Sequence, residues 1–240
     1  MLDKSLSIII PLFNEENRLN IAFAEILRFN DLNLFSRVDY IFINDGSTDL
    51  SADLIGRFVD SHPEITARLI SHSSNFGKGK AVQTGMIAGL GDYLLMADTD
   101  MSTPLSDVMK FFPAIETGAK VIIGSRKSAD SNLTQKQSWL RRQVGNIYAL
   151  ISQCITGLWQ IKDFGCGFKL FEKNAAKDIF ARVRTPGWVF DVEVLLLAKK
   201  MKYPIRQIGV TWSNDEDSRV KLDFKLFKML ADLIKIRFSL

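Results

Sequence analysis

Short apolar runs alternate with amphipathic segments along the first half of the chain. Five runs read as buried strands, at residues 5–11, 38–44, 67–71, 93–97 and 120–124. The segments between them carry apolar residues at helical spacing, the last of them at residues 106–116. Strands that alternate with helices of about 10–15 residues indicate an α/β fold. We expect a Rossmann-like, mostly parallel central sheet with helices on both faces.

The pattern loosens after Ser125. Residues 128–136 are polar and poor in helix formers, which favours a mobile loop over the site. Residues 139–159 predict a long apolar helix, residues 189–201 another helix and residues 205–212 a further strand. The chain ends in an amphipathic pattern at residues 222–238, where Lys225, Lys228 and Lys235 share one helical face. No internal repeat or linker is present, so we expect a single domain over residues 1–240.

Polar residues follow each of the first four predicted strands. These clusters are Pro11 to Glu16, Asn44 to Asp49, Asn75 to Lys80, and Asp98 with Asp100. In parallel sheets ligands bind beyond the carboxyl ends of the strands. The four clusters therefore predict one shared site at that edge of the sheet.

Asp98 and Asp100 follow the fourth strand with one residue between them. Side chains at i and i+2 of an extended chain point the same way, so the two carboxylates should face the same space. Two like charges this close are favourable mainly around a cation, and oxygen ligands suit Mg²⁺ or Mn²⁺. The alternative is that one aspartate caps the next helix while the other is solvated.

The glycine-rich turn at Gly77-Lys78-Gly79-Lys80 matches neither a phosphate-binding loop of ATPases nor the dinucleotide fingerprint. Its lysine beside a helix N-terminus could hold a diphosphate, or the turn could simply be solvated. Phe13 and Glu15 could stack on and hydrogen-bond a nucleobase, or form a staple and cap for the next helix. Arg126 is either an anion clamp or a surface arginine.

Composition narrows the function classes. The net charge is +4 and the pI about 9.0, which suits an anionic substrate or an anionic membrane surface. No nucleic-acid motif accompanies this charge, so we do not expect nucleic-acid binding. Two histidines are too few for a histidine-rich zinc site or a Ser-His-Asp triad. Two cysteines without a CxxC motif favour a reducing compartment, and the sequence shows neither a signal peptide nor an apolar stretch of about 20 residues.

Taken in order, these segments resemble the family 2 glycosyltransferases of the GT-A fold. The segments are PLFNEE at 11–16, NDGSTD at 44–49, NFGKGKA at 75–81, LLMADTD at 94–100, IGSR at 123–126, KDFGCGFKLF at 162–171 and WVFDVEVL at 188–195. The resemblance covers about residues 5–220. It is nearest to enzymes that glycosylate dolichyl or other polyprenyl phosphates, and the CGFKLF and FDVE segments favour the β-glucosyltransferase-like group over the mannose synthase-like one.

The resemblance implies a role for each matching residue. The nucleotide sugar would be bound by Pro11, Phe13, Glu15, Asp45, Lys78, Asp98 and Thr99. Asp98 and Asp100 would hold the Mg²⁺ or Mn²⁺, and Asp163 would be the catalytic residue beside the reacting centre. The acceptor phosphate would meet Arg126, Arg142 and Arg219. Residues 1–125 would form the nucleotide-sugar half, residues 126–220 the acceptor half, and residues 221–240 an amphipathic helix.

The implied reaction is an inverting, metal-dependent transfer of glucose from UDP-glucose to a polyprenyl or dolichyl phosphate. Such an acceptor implies a peripheral location on the cytoplasmic face of a membrane, with the two apolar helices at the interface; the alternative is that they pack on the core or form a homo-oligomer. Asn44 stands where the family often has aspartate, which leaves GDP-mannose open as the donor. A saccharide hydroxyl acceptor in polysaccharide synthesis is a second enzyme reading. A catalytically dead nucleotide-sugar-binding protein is the non-enzyme reading.

Overall fold

The computed structural model describes residues 2–134, 139–213 and 232–237 of the chain. Its strands are β1 Leu2–Leu12, β2 Phe35–Asn44, β3 Ala67–Ser71, β4 Tyr93–Met96, β5 Val121–Ser125, β6 Asn132–Leu133, β7 Lys169–Glu172, β8 Ile205–Gly209 and β9 Thr211–Trp212. Its helices are α1 Leu19–Asp31, α2 Ser51–Ser61, α3 Lys78–Ala88, a 3₁₀ helix Leu105–Phe111, α4 Phe112–Glu116, α5 Trp139–Thr156, α6 Lys173–Phe180 and α7 Phe190–Lys200. Residues 232–237 are also helical.

A seven-stranded sheet organises these elements, in the order β3-β2-β1-β4-β7-β5-β8. β1 pairs in parallel with β2 and β4, β2 with β3, and β5 with β8. β7 is antiparallel to both of its neighbours, β4 and β5. The small strands β6 and β9 pair with each other in a second, two-stranded sheet. The predicted α/β fold with a mostly parallel sheet is confirmed.

Both faces of the large sheet are covered by apolar packing. Along β1, Ile9 belongs to the core on one face, whereas Ile8 and Ile10 belong to the core on the other. The first core is completed by residues of α3, α5, α6 and α7, and the second by residues of α1, α2 and the 3₁₀ helix. A strand buried on both faces must be apolar at successive positions, which is why Ile8, Ile9 and Ile10 follow one another in β1. The predicted helices on both faces are confirmed.

Three local predictions were wrong in detail. Residues 106–116 are not one α-helix, because the segment begins as a 3₁₀ helix and α4 starts at Phe112 with Pro113 in its first turn. The helix predicted over residues 139–159 ends at Thr156, where Gly157 takes the left-handed conformation with φ +63°. The strand predicted over residues 205–212 is divided between β8 and β9. The terminal helix predicted at 222–238 lies outside the described residues except for 232–237.

The direction of β7 places its beginning at the functional edge. Because β7 is antiparallel, its amino end lies beside the carboxyl ends of β4 and β5. The loop that leads into it, residues 163–168, therefore joins the same edge as the residues that follow β1, β2 and β4. This arrangement brings residues of the second half of the chain to a site formed mainly by the first.

Candidate active site

The glycine-rich turn before α3 is held by the carboxylate of Asp45. Asp45 Oδ1 accepts a hydrogen bond of 3.0 Å from the backbone N–H of Phe76, and Oδ2 accepts one of 2.7 Å from Gly77. His72 Nδ1 lies 2.7 Å from Oδ1 as well. Gly77 has φ +103°, and a Cβ there would lie 2.5 Å from the carbonyl oxygen of Pro186. The turn therefore needs glycine at this position and a buried acceptor beneath it.

The ends of β1 and β2 are joined by side-chain to backbone hydrogen bonds. The backbone N–H of Asn14 donates to Ser47 Oγ at 2.9 Å, and the N–H of Thr48 donates to Asn14 Oδ1 at 2.8 Å. Asn14 has φ +54°, a conformation that asparagine tolerates better than most residues. These bonds fix the segment that carries Pro11, Phe13 and Glu15, three of the predicted nucleotide-sugar residues. All three lie at the carboxyl end of β1, where Phe13 and Glu15 are half-buried.

Asp98 and Asp100 lie just beyond β4, as the sequence predicts. Lys78 Nζ lies 2.6 Å from Asp98 Oδ1, so the lysine of the glycine-rich turn meets the carboxylate pair directly. Thr99, between them, turns its hydroxyl away and donates to the carbonyl of Pro11 at 2.8 Å. Asp100 Oδ1 accepts from the backbone N–H of Ser102 at 2.9 Å. The side chains of Asp98 and Lys78 thus join two of the predicted clusters in one site.

Burial and charge pull the pKa values of this cluster in opposite directions. Burial, followed by the negative charge of Asp98, raises the pKa of Asp100. Burial is also the largest influence on Lys78 and would lower its pKa, but the charges of Asp98, Asp191 and Asp100 raise it on balance. A lysine held protonated beside a partly desolvated carboxylate pair is suited to binding an anion together with a cation.

The donor set fits a divalent cation that is shared with a substrate. Asp98 and Asp100 offer carboxylate oxygens, the ligands that Mg²⁺ and Mn²⁺ prefer. Within the described ranges, no group of three or more His, Cys, Asp or Glu side chains has metal-site geometry. The protein would thus supply two carboxylates, and phosphate oxygens and water the remainder, as Mg²⁺ sites of nucleotide enzymes commonly do. The raised pKa of Asp100 beside Asp98 agrees with this fit, because a cation would relieve the repulsion.

Asp163 and Arg126 form a tight ion pair on the other side of β7. Asp163 Oδ2 accepts from the backbone N–H of Arg126 at 3.0 Å and from its Nε at 2.8 Å, while Oδ1 accepts from Nη2 at 2.8 Å. Burial opposes ionisation and is the largest influence on Asp163, but Arg126 outweighs it and lowers the pKa of the carboxyl to about 2. The guanidinium also lies over the ring of Trp212, 5.6 Å from its centroid. Arg126 is therefore not an ordinary surface arginine, because its guanidinium is paired with Asp163. That it also binds an anion stays a prediction.

Of the other two predicted acceptor residues, the structure describes only one. Arg142 is exposed near the start of α5. Arg219 lies outside the described residues. Lys127, which the sequence did not single out, ties the segment after β5 to α5 by donating to the carbonyl of Gly145 and to Asn146 Oδ1, both at 3.0 Å. Burial lowers the pKa of Lys127.

Four further residues of the site were missed by sequence reasoning. Gly167 is needed because a Cβ there would lie 1.9 Å from Asp98 Oδ2. Trp188 places its ring 5.2 Å from Lys78 Nζ, within the range of a cation–π interaction. Lys169 and Asp191 form a buried ion pair of 2.7 Å. The available signal was the FDVE segment at residues 190–193, where two acids stand among apolar residues in the first turn of a helix.

This fold, with a carboxylate pair and a lysine at the carboxyl edge of its sheet, defines a glycosyltransferase of the GT-A class. The model of the family described as "Glycosyl transferase family 2" matches residues 7–180. The chain therefore belongs to glycosyl transferase family 2, and it is a glycosyltransferase.

Relatives with similar sequences carry one name across distant organisms. The dolichyl-phosphate β-glucosyltransferase of Dictyostelium discoideum is 34% identical over 97% of this chain and 74% of its own length. The protein of the same name from Saccharomyces cerevisiae is 33% identical over 98% of this chain and 74% of its length. The human protein of that name is 30% identical over 98% of this chain and 75% of its own length. The resemblance inferred from the sequence motifs is thereby confirmed.

Solved structures agree on the fold. Glucosyl-3-phosphoglycerate synthase of Mycobacterium tuberculosis superposes with a TM-score of 0.70 at 18% identity, covering 98% of this chain and 80% of that one. Its complex with Mn²⁺ and UDP-glucose gives a TM-score of 0.70 at 18% identity, covering 98% and 78%. At this identity the likeness establishes the shared GT-A fold and nothing finer.

Proposed function

We propose that this protein transfers glucose from UDP-glucose to a dolichyl or other polyprenyl phosphate, with inversion at the anomeric carbon and with Mg²⁺ or Mn²⁺ as cofactor. The observation that carries the proposal is the division of the site by β7. Lys78, Asp98 and Asp100 lie on one side, suited to a nucleoside diphosphate and a cation. Arg126 and Asp163 lie on the other, where an acceptor phosphate would enter. The names of the relatives, dolichyl-phosphate β-glucosyltransferases, support the choice of sugar and lipid.

On the donor side, the chain's own residues bind and orient the nucleotide sugar. Phe13 would stack on the base and Glu15 would accept from its ring N–H, while Asp45 keeps the glycine-rich turn in place. Asp98 and Asp100 would hold the cation, which supplies Lewis-acid stabilisation of the departing diphosphate. Lys78 adds a fixed positive charge to the same leaving group, and charge that is already in position is an effective means of stabilising a transition state.

On the acceptor side, a phosphate does not need a strong general base. A phosphomonoester has a second pKa of about 6 and is largely dianionic at neutral pH. Asp163, with a pKa of about 2 and three hydrogen bonds from Arg126, is a weak base. It would therefore orient Arg126 and the acceptor, rather than remove a proton. A saccharide hydroxyl would require a true base, and this pairing leaves Asp163 poorly suited to that task.

Contact with a membrane surface follows from a lipid-linked acceptor. Ile147 and Leu150, one turn apart on α5, are 59% and 55% exposed, and Trp159 just beyond the helix is 61% exposed. Apolar and aromatic side chains of this kind suit the interface of a bilayer. No helix among the described residues is long and apolar enough to cross a membrane. We propose peripheral attachment on the cytoplasmic face through the exposed side of α5.

One assay tests the reaction. The protein is incubated with a polyprenyl phosphate and labelled UDP-glucose, UDP-N-acetylglucosamine or GDP-mannose, each with Mn²⁺, Mg²⁺ or EDTA. We expect label to move to the lipid from UDP-glucose only, with loss of transfer in EDTA and a β-linked product by NMR. Asp100→Asn should be inactive and the exposed Asp60→Asn unaffected. Label that moves only to a saccharide acceptor would overturn the proposal.

Membrane contact is tested separately by flotation with anionic vesicles at low salt. The double substitution Ile147→Glu and Leu150→Glu should abolish co-flotation. Ile21→Glu, at a residue of α1 that is 56% exposed, is the matched control and should still float. A wild-type protein that does not float, although folded, would refute attachment.

A further inference from the structure

A pair of opposite charges is buried where β7 and α7 begin. Lys169, the first residue of β7, is 1% exposed and Asp191, in the first turn of α7, is 5% exposed. The ammonium lies 2.7 Å from Asp191 Oδ1 and also donates to the carbonyl of Cys166. Their neighbours along the chain are buried and apolar, among them Leu170 and Phe190.

Stability alone does not account for such a pair. Taking two charges out of water costs several kcal/mol per ion, and well-packed apolar residues in their place are often neutral or stabilising. The surroundings of Lys169 and Asp191 could accommodate apolar side chains, because both cores reach this point of the sheet. A role in the site is the more economical reason for the two charges.

Asp191 lies where the start of α7 packs against the start of α3, which begins with Lys78. A Cβ at Gly79, next to Lys78, would lie 2.7 Å from Cβ of Phe190, next to Asp191. After burial, Asp98 and then Asp191 are the strongest influences on Lys78, and both favour its charged form. Burial raises the pKa of Asp191 on balance, and the positive charges of Lys169 and Lys78 oppose this rise. Charges of alternating sign thus run from the core to the site, from Lys169 through Asp191 and Lys78 to Asp98.

The backbone around Asp191 is also fixed against the glycine-rich turn. Glu193, two residues later, accepts hydrogen bonds from the backbone N–H groups of Arg184 and Thr185, the closest at 2.7 Å. The segment so held passes over the turn, where the carbonyl of Pro186 accepts from Lys80 N at 3.3 Å. Asp191 therefore has a defined position relative to Lys78, and Trp188 covers the lysine from the same segment.

We propose that Asp191, held in place by Lys169, is a positioning residue that keeps the ammonium of Lys78 directed at the diphosphate of the donor. The inference rests on the proposed function and adds to it the residues that direct Lys78. Its physical reason is that a cation bound by Asp98 competes with Lys78 for that carboxylate. A lysine stem is flexible, and without a second counter-charge the ammonium would move away from the cation into solvent. Asp191 provides that counter-charge where water does not reach.

Double-mutant cycles separate this role from a structural one. Calorimetry in the presence of Mn²⁺ measures the dissociation constant for UDP in wild-type protein and in Lys78→Met, Asp191→Asn, and the two combined. We expect Asp191→Asn to weaken UDP binding about tenfold or more, the size of a charge-assisted hydrogen bond. In the Lys78→Met background the same substitution should have no further effect. An equal loss in both backgrounds would overturn the inference.

A second cycle, Lys169→Met with Asp191→Asn, controls for folding. Each single substitution leaves a buried charge and should lower the thermal midpoint, whereas the double removes both charges and should recover it. UDP binding by the double variant should nevertheless stay about tenfold weaker than wild type. Wild-type affinity in the double variant would show that the pair is only structural and would overturn the inference. Asp92→Asn, at the opposite edge of the sheet, should leave UDP affinity unchanged.

Different results would overturn the proposed function and the positioning role of Asp191. A wild-type protein that does not bind UDP with Mn²⁺ overturns the proposed function, and the role of Asp191 with it. A wild-type protein that binds UDP and transfers glucose, but whose Asp191→Asn variant binds UDP equally well, overturns the positioning role alone.

Discussion

Replacing Asp163 by asparagine removes the charge that Arg126 encloses with three hydrogen bonds. The stabilisation can be worked out from the lowered pKa of the carboxyl, which falls from 3.8 to about 2. A difference of one pKa unit corresponds to about 1.4 kcal/mol, so the ionised carboxylate contributes about 2 to 3 kcal/mol to the free energy of unfolding. We expect Asp163→Asn to be destabilised by at least this amount at pH 7, since Arg126 also loses its partner.

The sign of the pH dependence follows from the direction of the shift. Because folding lowers the pKa of Asp163, its stabilisation is fully present above the unfolded value of about 3.8 and is lost as pH falls towards about 2. The difference in unfolding free energy between wild type and Asp163→Asn should thus be constant from pH 7 to about pH 5 and shrink below about pH 4.

Urea unfolding followed by circular dichroism at several pH values between 7 and 3.5 measures this difference. Asp60→Asn, at an exposed position on α2, serves as the control and should match wild type throughout. Equal stability of wild type and Asp163→Asn at pH 7, or a difference that grows as pH falls, would refute the reasoning about the ion pair.

The same pKa makes a kinetic prediction. Asp163 is ionised throughout the neutral range, so the pH profile of the wild-type rate should follow the acceptor phosphate, with a pKa of about 6. The Asp163→Asn variant should lose rate because Arg126 is misplaced, and its residual rate should keep the wild-type profile. A residual rate that recovers steeply towards high pH would instead show that Asp163 removes a proton in the normal reaction.

Three more substitutions test the donor side. Asp100→Asn should abolish the Mn²⁺ dependence of UDP binding in calorimetry, yet raise the thermal midpoint of the metal-free protein, because the raised pKa of Asp100 means that its charge is unfavourable when folded. Gly167→Ala should weaken Mn²⁺-dependent UDP binding by displacing Asp98, whereas Gly56→Ala, whose Cβ would meet nothing within 4 Å, should be neutral or slightly stabilising. His72→Ala should cost about 1–3 kcal/mol in urea unfolding, since it removes a partner of a buried carboxylate, and should weaken UDP binding. An unchanged stability and affinity would contradict that role.

The parallel part of the fold and its polar edge could be predicted because each feature is local. β1 and β2 each contain a short apolar run, Ile8 to Ile10 and Tyr40 to Ile43, and polar residues follow these runs closely in the chain. The 3₁₀ helix also had a local signal, Pro113, which interrupts the helical pattern. No local signal predicts β7. The strand is only four residues long, and it begins with Lys169, which is buried because it pairs with Asp191 in another part of the chain. Sequence pattern does not show that a lysine will be paired inside the core.

The sequence predicted the parts of the site that lie within one short motif. It did not predict contacts between residues that are far apart in the chain. The spacing of Asp98 and Asp100 is enough to predict a carboxylate pair that can bind a cation. The pairing of Arg126 with Asp163 spans 37 positions, and periodicity carries no information about it. Asp191 was overlooked because an acid in the first turn of a helix ordinarily interacts with the helix dipole at the surface. Asp191 is instead buried, and its burial depends on the fold and not on the local sequence.

The antiparallel insertion of β7 has a consequence for how the chain folds. β7 hydrogen-bonds β4 on one side and β5 on the other, and without it the sheet would consist of two separate groups, β3-β2-β1-β4 and β5-β8. Asp98 follows a strand of the first group and Arg126 a strand of the second. Contacts between distant parts of a chain form late because the intervening loop must first be closed. The first group can form early from neighbouring βα units, but the two sides of the site come together only when β7 closes the sheet. Catalytic competence should therefore be among the last properties that the refolding chain acquires.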